Sequence, residues 1–288
     1  MATKKAKAGV PGTTSSSGLL FPLPDTRGLE STLAATAIGR GAAHYAADDA
    51  LFRAQDLMYE AFDARGARRA ALAREALGIS PDCADAYVLL AEETASSIEE
   101  ACQLLEEGVA AGQRALGPEP FEEDVGHFWG LIETRPYMRA REALAETLWA
   151  LDRREEAVEH QRELLRLNPN DNQGVRDRQV EWLLWLERYD ELDELFAAYE
   201  LDDAATIGYT KALAAFRRHG NSAQANLLLA RARNANPHVP DYLSGRRQLP
   251  ARLPDSITFG DVDEAVDYAA TARALWASVP GALAWLDA

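Results

Sequence analysis

Residues 138–171 read MRAREALAETLWALDRREEAVEHQRELLRLNPND, and this stretch decides the fold. It is one 34-residue helix–turn–helix unit. Leu144, Ala145, Leu148, Ala157 and Pro169 sit at the spacings of a tetratricopeptide repeat. Such a unit cannot bury both apolar faces by itself, so it implies stacked neighbours and a solenoid. The sequence therefore predicts an all-α, tetratricopeptide-like solenoid of antiparallel helix pairs.

Neighbours follow in both directions. Upstream, a helix is expected over about 46–64, with Leu51, Ala54, Leu57, Met58 and Ala61 on one face. Gly66 interrupts it, a second helix carries Ala70, Ala73, Ala76 and Leu77, and Pro81 closes the unit. The next pair opens at Cys83, turns at Ser96-Ser97 and stops at Gly117-Pro118. Its turn is two residues shorter than the standard unit. Downstream, Val180, Leu183, Trp185, Tyr189, Leu192, Phe196 and Tyr199 mark a further unit. Tyr209, Leu213, Phe216, Gly220, Ala225 and Pro237 mark another. The predicted units span about 50–82, 83–116, 138–171, 173–205 and 206–239, with a cap over 240–288. That cap follows a proline-punctuated bridge and ends in an amphipathic helix over about 261–278, with Ala265, Tyr268, Ala269, Ala272 and Trp276 on its buried side. Residues 1–28, rich in Gly, Ser, Thr and Pro, are expected to be a flexible tail ahead of a single repeat domain over 29–288. A short helix near residues 29–38 is expected to cap the stack. Leu19-Leu20-Phe21 is too short for a secretory core.

Regularity fails at GPEPFEEDVGHFWGLIETRP, residues 117–136, an irregular insert with Phe121, Phe128, Trp129, Leu131 and Ile132 as an apolar knot. It would serve either as a loop projecting His127 and Trp129 to a partner or as a plug between irregular repeats.

Four blocks resemble the suppressor-of-tumorigenicity-seven family. They are Pro81-Asp82-Cys83-Ala84-Asp85-Ala86-Tyr87-Val88-Leu89-Leu90-Ala91-Glu92-Glu93 with Ile98-Glu99-Glu100-Ala101, then Asn236-Pro237-His238-Val239-Pro240-Asp241-Tyr242-Leu243, then Gly260-Asp261 with Glu264-Ala265, and Gly281-Ala282-Leu283. They fall in order across roughly 46–288, and the NPHVP block is the most specific. The resemblance implies a helical-repeat fold and brings no catalytic residues to carry over. Animal members carry hydrophobic N-terminal segments; none is read here, so no membrane role is implied.

Charge narrows the partner class. The net charge is −16, which disfavours nucleic acid and suits basic segments of other proteins, besides serving solubility. Between residues 82 and 133 there are thirteen acidic residues and one Lys or Arg, Arg114. The pairs Glu92-Glu93, Glu99-Glu100 and Glu106-Glu107 recur every seven residues, as an acidic stripe or as a solvated outer face. An opposing possibility lies on the first helices of the pairs, which line the concave side of such arrays. Arg139, Arg176 and Lys211 could hold a carboxylate there. The candidate partner-binding residues are thus His127, Trp129, Glu133, Arg135, Arg139, Arg176, Gln179 and Lys211.

No catalytic, cofactor or metal site is predicted. The five histidines form no ligand pair, and no phosphate-binding loop or nucleophile elbow is present. Cys83 and Cys102 fit no metal spacing and suit a reducing cytoplasm. No apolar run of membrane-spanning length occurs. The expected function is a non-catalytic protein- or peptide-binding scaffold. The alternatives are a small-molecule or metal-dependent enzyme at the GHFWG insert and a structural subunit of a larger assembly.

Overall fold

The computed structural model describes residues 30, 49–254 and 256–288, which contain helices and no strands. The expected tail and most of the short helix near 29–38 lie outside them. The helices are α1 (Asp49–Asp63), α2 (Ala67–Ile79), α3 (Ala84–Thr94), α4 (Ile98–Leu116), α5 (Pro120–Glu123), α6 (Arg135–Ala150), α7 (Arg154–Leu167), α8 (Val175–Trp185), α9 (Tyr189–Ala198), α10 (Ala205–His219), α11 (Ala223–Ala235), α12 (Val239–Leu243), α13 (Val262–Ser278) and α14 (Ala282–Leu286). The residues up to Ala157 form one compact unit, and Val158–Ala288 form another.

In the first unit α1 pairs with α2 and α3 with α4, and α6 packs on both α3 and α4. Its core joins Ala54, Met58 and Ala61 of α1 to Ala70, Leu72, Ala73 and Ala76 of α2 and Ala86, Leu89 and Leu90 of α3. The alanine stripe of α2 gives little side-chain bulk, so its neighbours approach closely. Local chemistry fixes the ends. Gly66 takes φ 60° between α1 and α2. Ser97 caps α4 by accepting from the Glu100 N–H at 3.2 Å. Gly117, at φ 69°, ends α4 by donating to the Gln113 carbonyl at 3.0 Å.

Phe128 is fully buried, wedged edge-on against Tyr137 and tilted against Phe121. The insert therefore plugs the first unit at Phe128, while His127 stays exposed and Trp129 is half-buried. Pro136 sits in the first turn of α6, which starts at Arg135, three residues before the repeat pattern at Met138.

In the second unit α8 packs on α9 and α10, and α10 on α11. Gly220, at φ 63°, turns α10 into α11. Helix α13 has Ala265, Tyr268, Ala269, Ala272 and Trp276 buried, as its periodicity predicts. It packs on α10 and also on α8, so it touches the first helices of two successive pairs. Polar bonds fix its place. The Tyr268 hydroxyl lies 3.2 Å from Thr210 Oγ1, Thr271 donates to Glu181 at 2.7 Å, and Glu264 accepts from the Ala205 N–H at 2.8 Å.

Candidate functional site

The insert gathers four of the eight candidate residues. Its two short 3-10 turns, Phe128–Gly130 and Ile132–Thr134, are held by the Thr134 hydroxyl, which donates to the carbonyls of Phe128 and Leu131. His127 precedes the first turn and Glu133 lies in the second, both exposed. The Arg135 guanidinium stacks 5.0 Å above the Trp129 ring and its Nε donates to the Trp129 carbonyl at 3.0 Å. Of the other four, Arg139 follows on α6 of the same unit, and Arg176, Gln179 and Lys211 belong to the second unit.

Arg139 is one turn further along α6 and 5% exposed. Its Nε and Nη2 grip Asp85 of α3 at 2.9 and 2.6 Å, the fork geometry of a bidentate pair. Gln55 of α1 donates to the same carboxylate at 2.8 Å. The remaining Nη1 lies 2.7 Å from both oxygens of Glu30, and Arg135 Nη1 is 3.4 Å from one of them. Asp85 and Glu30 are 1% and 0% exposed as side chains. Burial alone would depress the Arg139 pKa; Asp85 and Glu30 more than offset it and raise the value above the ordinary one. Tyr59 of α1 borders the cluster, its phenol pKa raised by burial and then by the charges of Asp85 and Glu30. The sequence pointed to Arg139 but to neither carboxylate: these partners lie 54 and 109 positions away and no local spacing marks them.

In the second unit Arg176 is committed to Asp202 at 2.8 Å and Asp171 at 3.0 Å, and lies 5.1 Å over the Tyr199 ring. The Lys211 ammonium sits 5.3 Å from the centre of the Phe196 ring. Gln179 is 4% exposed and its Oε1 has no hydrogen-bond partner. Each first-helix cation is thus engaged within the chain. Beside Arg176, Asp177 has its Oδ1 sealed from solvent without a hydrogen bond. Burial pushes this carboxyl up to about 7, Arg176 opposes the shift, and Asp171, Asp202 and Asp267 add to it.

The outer face of α4 and α5 is different. Of the three glutamate pairs, Glu92-Glu93 has both members within ion-pair distance of Arg69, and each of the others has one member engaged. Glu93 meets Arg69 at 3.1 Å, Glu100 accepts from the Ser96 N–H at 2.7 Å, and Glu106 accepts from Arg153 at 3.0 Å. Glu99, Glu107, Glu119, Glu122 and Glu123 are exposed, and among the described residues no cation pairs with them. The one Lys or Arg in this stretch, Arg114, is bound to Asp82 at 2.7 Å.

Among the described residues no three His, Cys, Asp or Glu side chains group to hold a metal ion. No described helix is long and apolar enough to cross a membrane.

A family profile described as "ST7 protein" matches residues 41–288. Suppressor of tumorigenicity 7 proteins of Macaca fascicularis and Rattus norvegicus are each 33% identical over 228 residues. The matches cover 70% of this chain and 42% and 39% of those proteins. The chain thus spans about two fifths of the length of the curated relatives it matches. Among solved structures, that titled "Crystal structure of YrrB: a TPR protein with an unusual peptide-binding site" is 19% identical. It aligns with a TM-score of 0.43 over 70% of this chain and 90% of its own.

Proposed function

The chain belongs to the ST7 protein family, and on that footing we propose that it is a non-catalytic scaffold that binds protein or peptide segments rich in Lys and Arg. The observation that carries this reading is the set of exposed glutamates Glu99 and Glu107 on α4, Glu119 just before α5, and Glu122 and Glu123 on α5, with which no cation pairs among the described residues. Five carboxylates that no cation among the described residues pairs with raise the local negative potential, which steers a basic segment and suppresses an acidic one. Paired helices present such a face rigidly, so little ordering cost falls on this partner. The same field disfavours phosphate backbones, so nucleic acid is not part of the proposal. Helix α13 supports the choice of face by covering first-helix surface of α8 and α10 in the second unit. The free thiols Cys83 and Cys102, both buried, fit a reducing cytoplasm.

The test is fluorescence anisotropy with a labelled arginine-rich peptide against the full chain and a variant carrying Gln at those five positions. Binding should weaken steeply with added salt and fall at least about tenfold in the variant, because neutralising several charges removes more than ~1.4 kcal/mol. Equal binding by the two chains would refute the assignment of the face. Absence of binding at low salt would refute the basic-partner reading itself.

A further inference from the structure

We propose that a second copy of this chain docks on the acidic face of α4 and α5 through Arg247, Arg273, Leu253, Ile257 and Phe259, so that unlike faces of successive copies join. The proposal rests on the reading of the acidic face given above and names one partner for it.

The docking segment is residues 245–259, between α12 and α13, and both of its ends are pinned to α13. At one end Gly245, at φ 77°, lies so close to the Arg273 guanidinium that an added Cβ would meet Nη2 at 2.5 Å. At the other end the Thr258 N–H donates to Asp263 at 3.0 Å and the Gly260 N–H donates to Glu264 at 2.7 Å. These bonds flank Phe259 and hold it outward, 78% exposed. Between the ends, residues 246–248, 250–253 and 256–259 are exposed. Six large apolar side chains are exposed among the described residues, and three of them, Leu253, Ile257 and Phe259, fall within seven positions here. Apolar side chains exposed singly need no explanation, whereas a cluster held outward marks a contact site.

Charge gives the partner. Residues 245–259 carry three arginines and one aspartate, a local excess of two positive charges in a chain of net charge −16. Arg246 is committed to Asp241 at 2.9 Å and to Asp287. Arg247 lies 4.0 Å from Asp241, the far limit of an ion pair. Among the described residues no carboxylate pairs with Arg273. Residues 82–133 are the complement, with thirteen acidic residues against Arg114. Apolar ground lies there too: Phe121, between Glu119 and Glu122, and Leu131 and Ile132 are half-buried. A basic segment edged with apolar side chains thus fits a carboxylate face edged with the same. The two faces belong to different units and differ in chemistry, so the contact is heterologous and each copy offers both halves of it. Repulsion between two chains of net charge −16 is screened beyond about 8 Å at physiological ionic strength, where groups in contact still attract. The patch is small, which places the contact in the weak, transient class.

The experiment is sedimentation velocity on the full chain at physiological ionic strength. Above about 100 µM, in the range of weak contacts, the weight-average mass should rise past the 31.5 kDa of one chain, and high salt should lower it. Two variants each remove one half of the contact: the five-Gln variant of the acidic face, and Arg247→Glu with Arg273→Glu and Phe259→Ser. All of these side chains are exposed, so neither variant disturbs a core. Each variant alone should lose at least about tenfold in self-association. Mixed, the two should form a one-to-one complex, because the first keeps the basic segment and the second keeps the acidic face. Self-association retained by either variant, or a mixture that does not pair, overturns the proposal. So does a wild-type chain that stays monomeric; if the arginine-rich peptide still binds that chain, the acidic face stands and only the second copy is ruled out.

Discussion

Two buried charges show how far a residue's surroundings decide its worth. Arg139 satisfies Asp85 and Glu30, both sealed from water. Arg139→Leu keeps the apolar bulk and strands two carboxylates, so we expect a loss of about 3–5 kcal/mol in urea unfolding. Arg68→Ala breaks a pair that is 67% and 49% exposed, and should cost no more than about 1 kcal/mol in the same assay. Asp177 works in the opposite sense. Its folded value of about 7 lies above the ordinary 3.8. Below pH 4 both states hold the proton and the residue costs nothing. Between pH 4 and 7 the unfolded chain has released a proton that the folded chain retains, so stability falls as pH rises, and above 7 the penalty is constant. Asp177→Asn should leave stability at pH 3.5 unchanged and raise it at pH 7.5 by something on the order of 2–4 kcal/mol, read from denaturant curves at the two pH values. A gain of equal size at pH 3.5 would mean that charge is not the cause.

Helix pairing was legible where it depends on short spacings. The 3.6-residue period placed Met58 and Ala61, and Trp276 with its neighbours on α13, on buried faces, because each face is written within one helix. Turn chemistry was legible at Gly66, Gly117 and Gly220. It was missed at Asp152 and Glu187, which hold φ 62° and 59° in two matching turns, Leu-Asp-Arg and Leu-Glu-Arg. In each turn the Arg N–H closes back on the carbonyl of Leu148 or Leu183 at 2.9 Å. In each, that arginine then grips a glutamate three residues on. Contacts between helices were not legible. Gly112 of α4 shows why: a Cβ there would lie 2.9 Å from Tyr137 Cβ and 3.1 Å from its Cα on α6. Gly112→Ala gains about 1 kcal/mol of helix propensity but must push α6 away. We expect overpacking to win, with a net loss of roughly 1–2 kcal/mol. Gly78 on α2 has nothing within 4 Å of the same added atom, so Gly78→Ala should be neutral or stabilising by up to about 1 kcal/mol. Thermal melts of the two variants decide the matter. A destabilised Gly78→Ala beside an unaffected Gly112→Ala would remove the close-approach argument.

At the scale of the molecule, the sequence predicted a cap over 240–288 but not which surface it covers. A cap is recognised from one apolar face, whereas its seat depends on groups contributed by other helices. Tyr268 lies 6.0 Å from the ring of Tyr209 on α10, and Trp276 donates from Nε1 to the Tyr268 hydroxyl at 2.9 Å. Trp285 of α14 stacks on Phe216 of α10 at 4.4 Å. Removing Trp276 empties the middle of this aromatic group, and Trp276→Ala should cost about 3–5 kcal/mol, of which little can be recovered by collapse around rings so tightly placed. Each compact unit has its own buried core, so the loss should stay in the second. Amide hydrogen exchange should quicken in α8, α10 and α13 and hold its wild-type rate in α3, whose Leu89 is buried against α1 and α2. Equal acceleration in α3 would show the two units opening as one cooperative body. A confined effect would show that the face of α4 and the Arg139 cluster keep their geometry when the second unit is disturbed, and that partner binding can then be measured on the first unit while the second is altered.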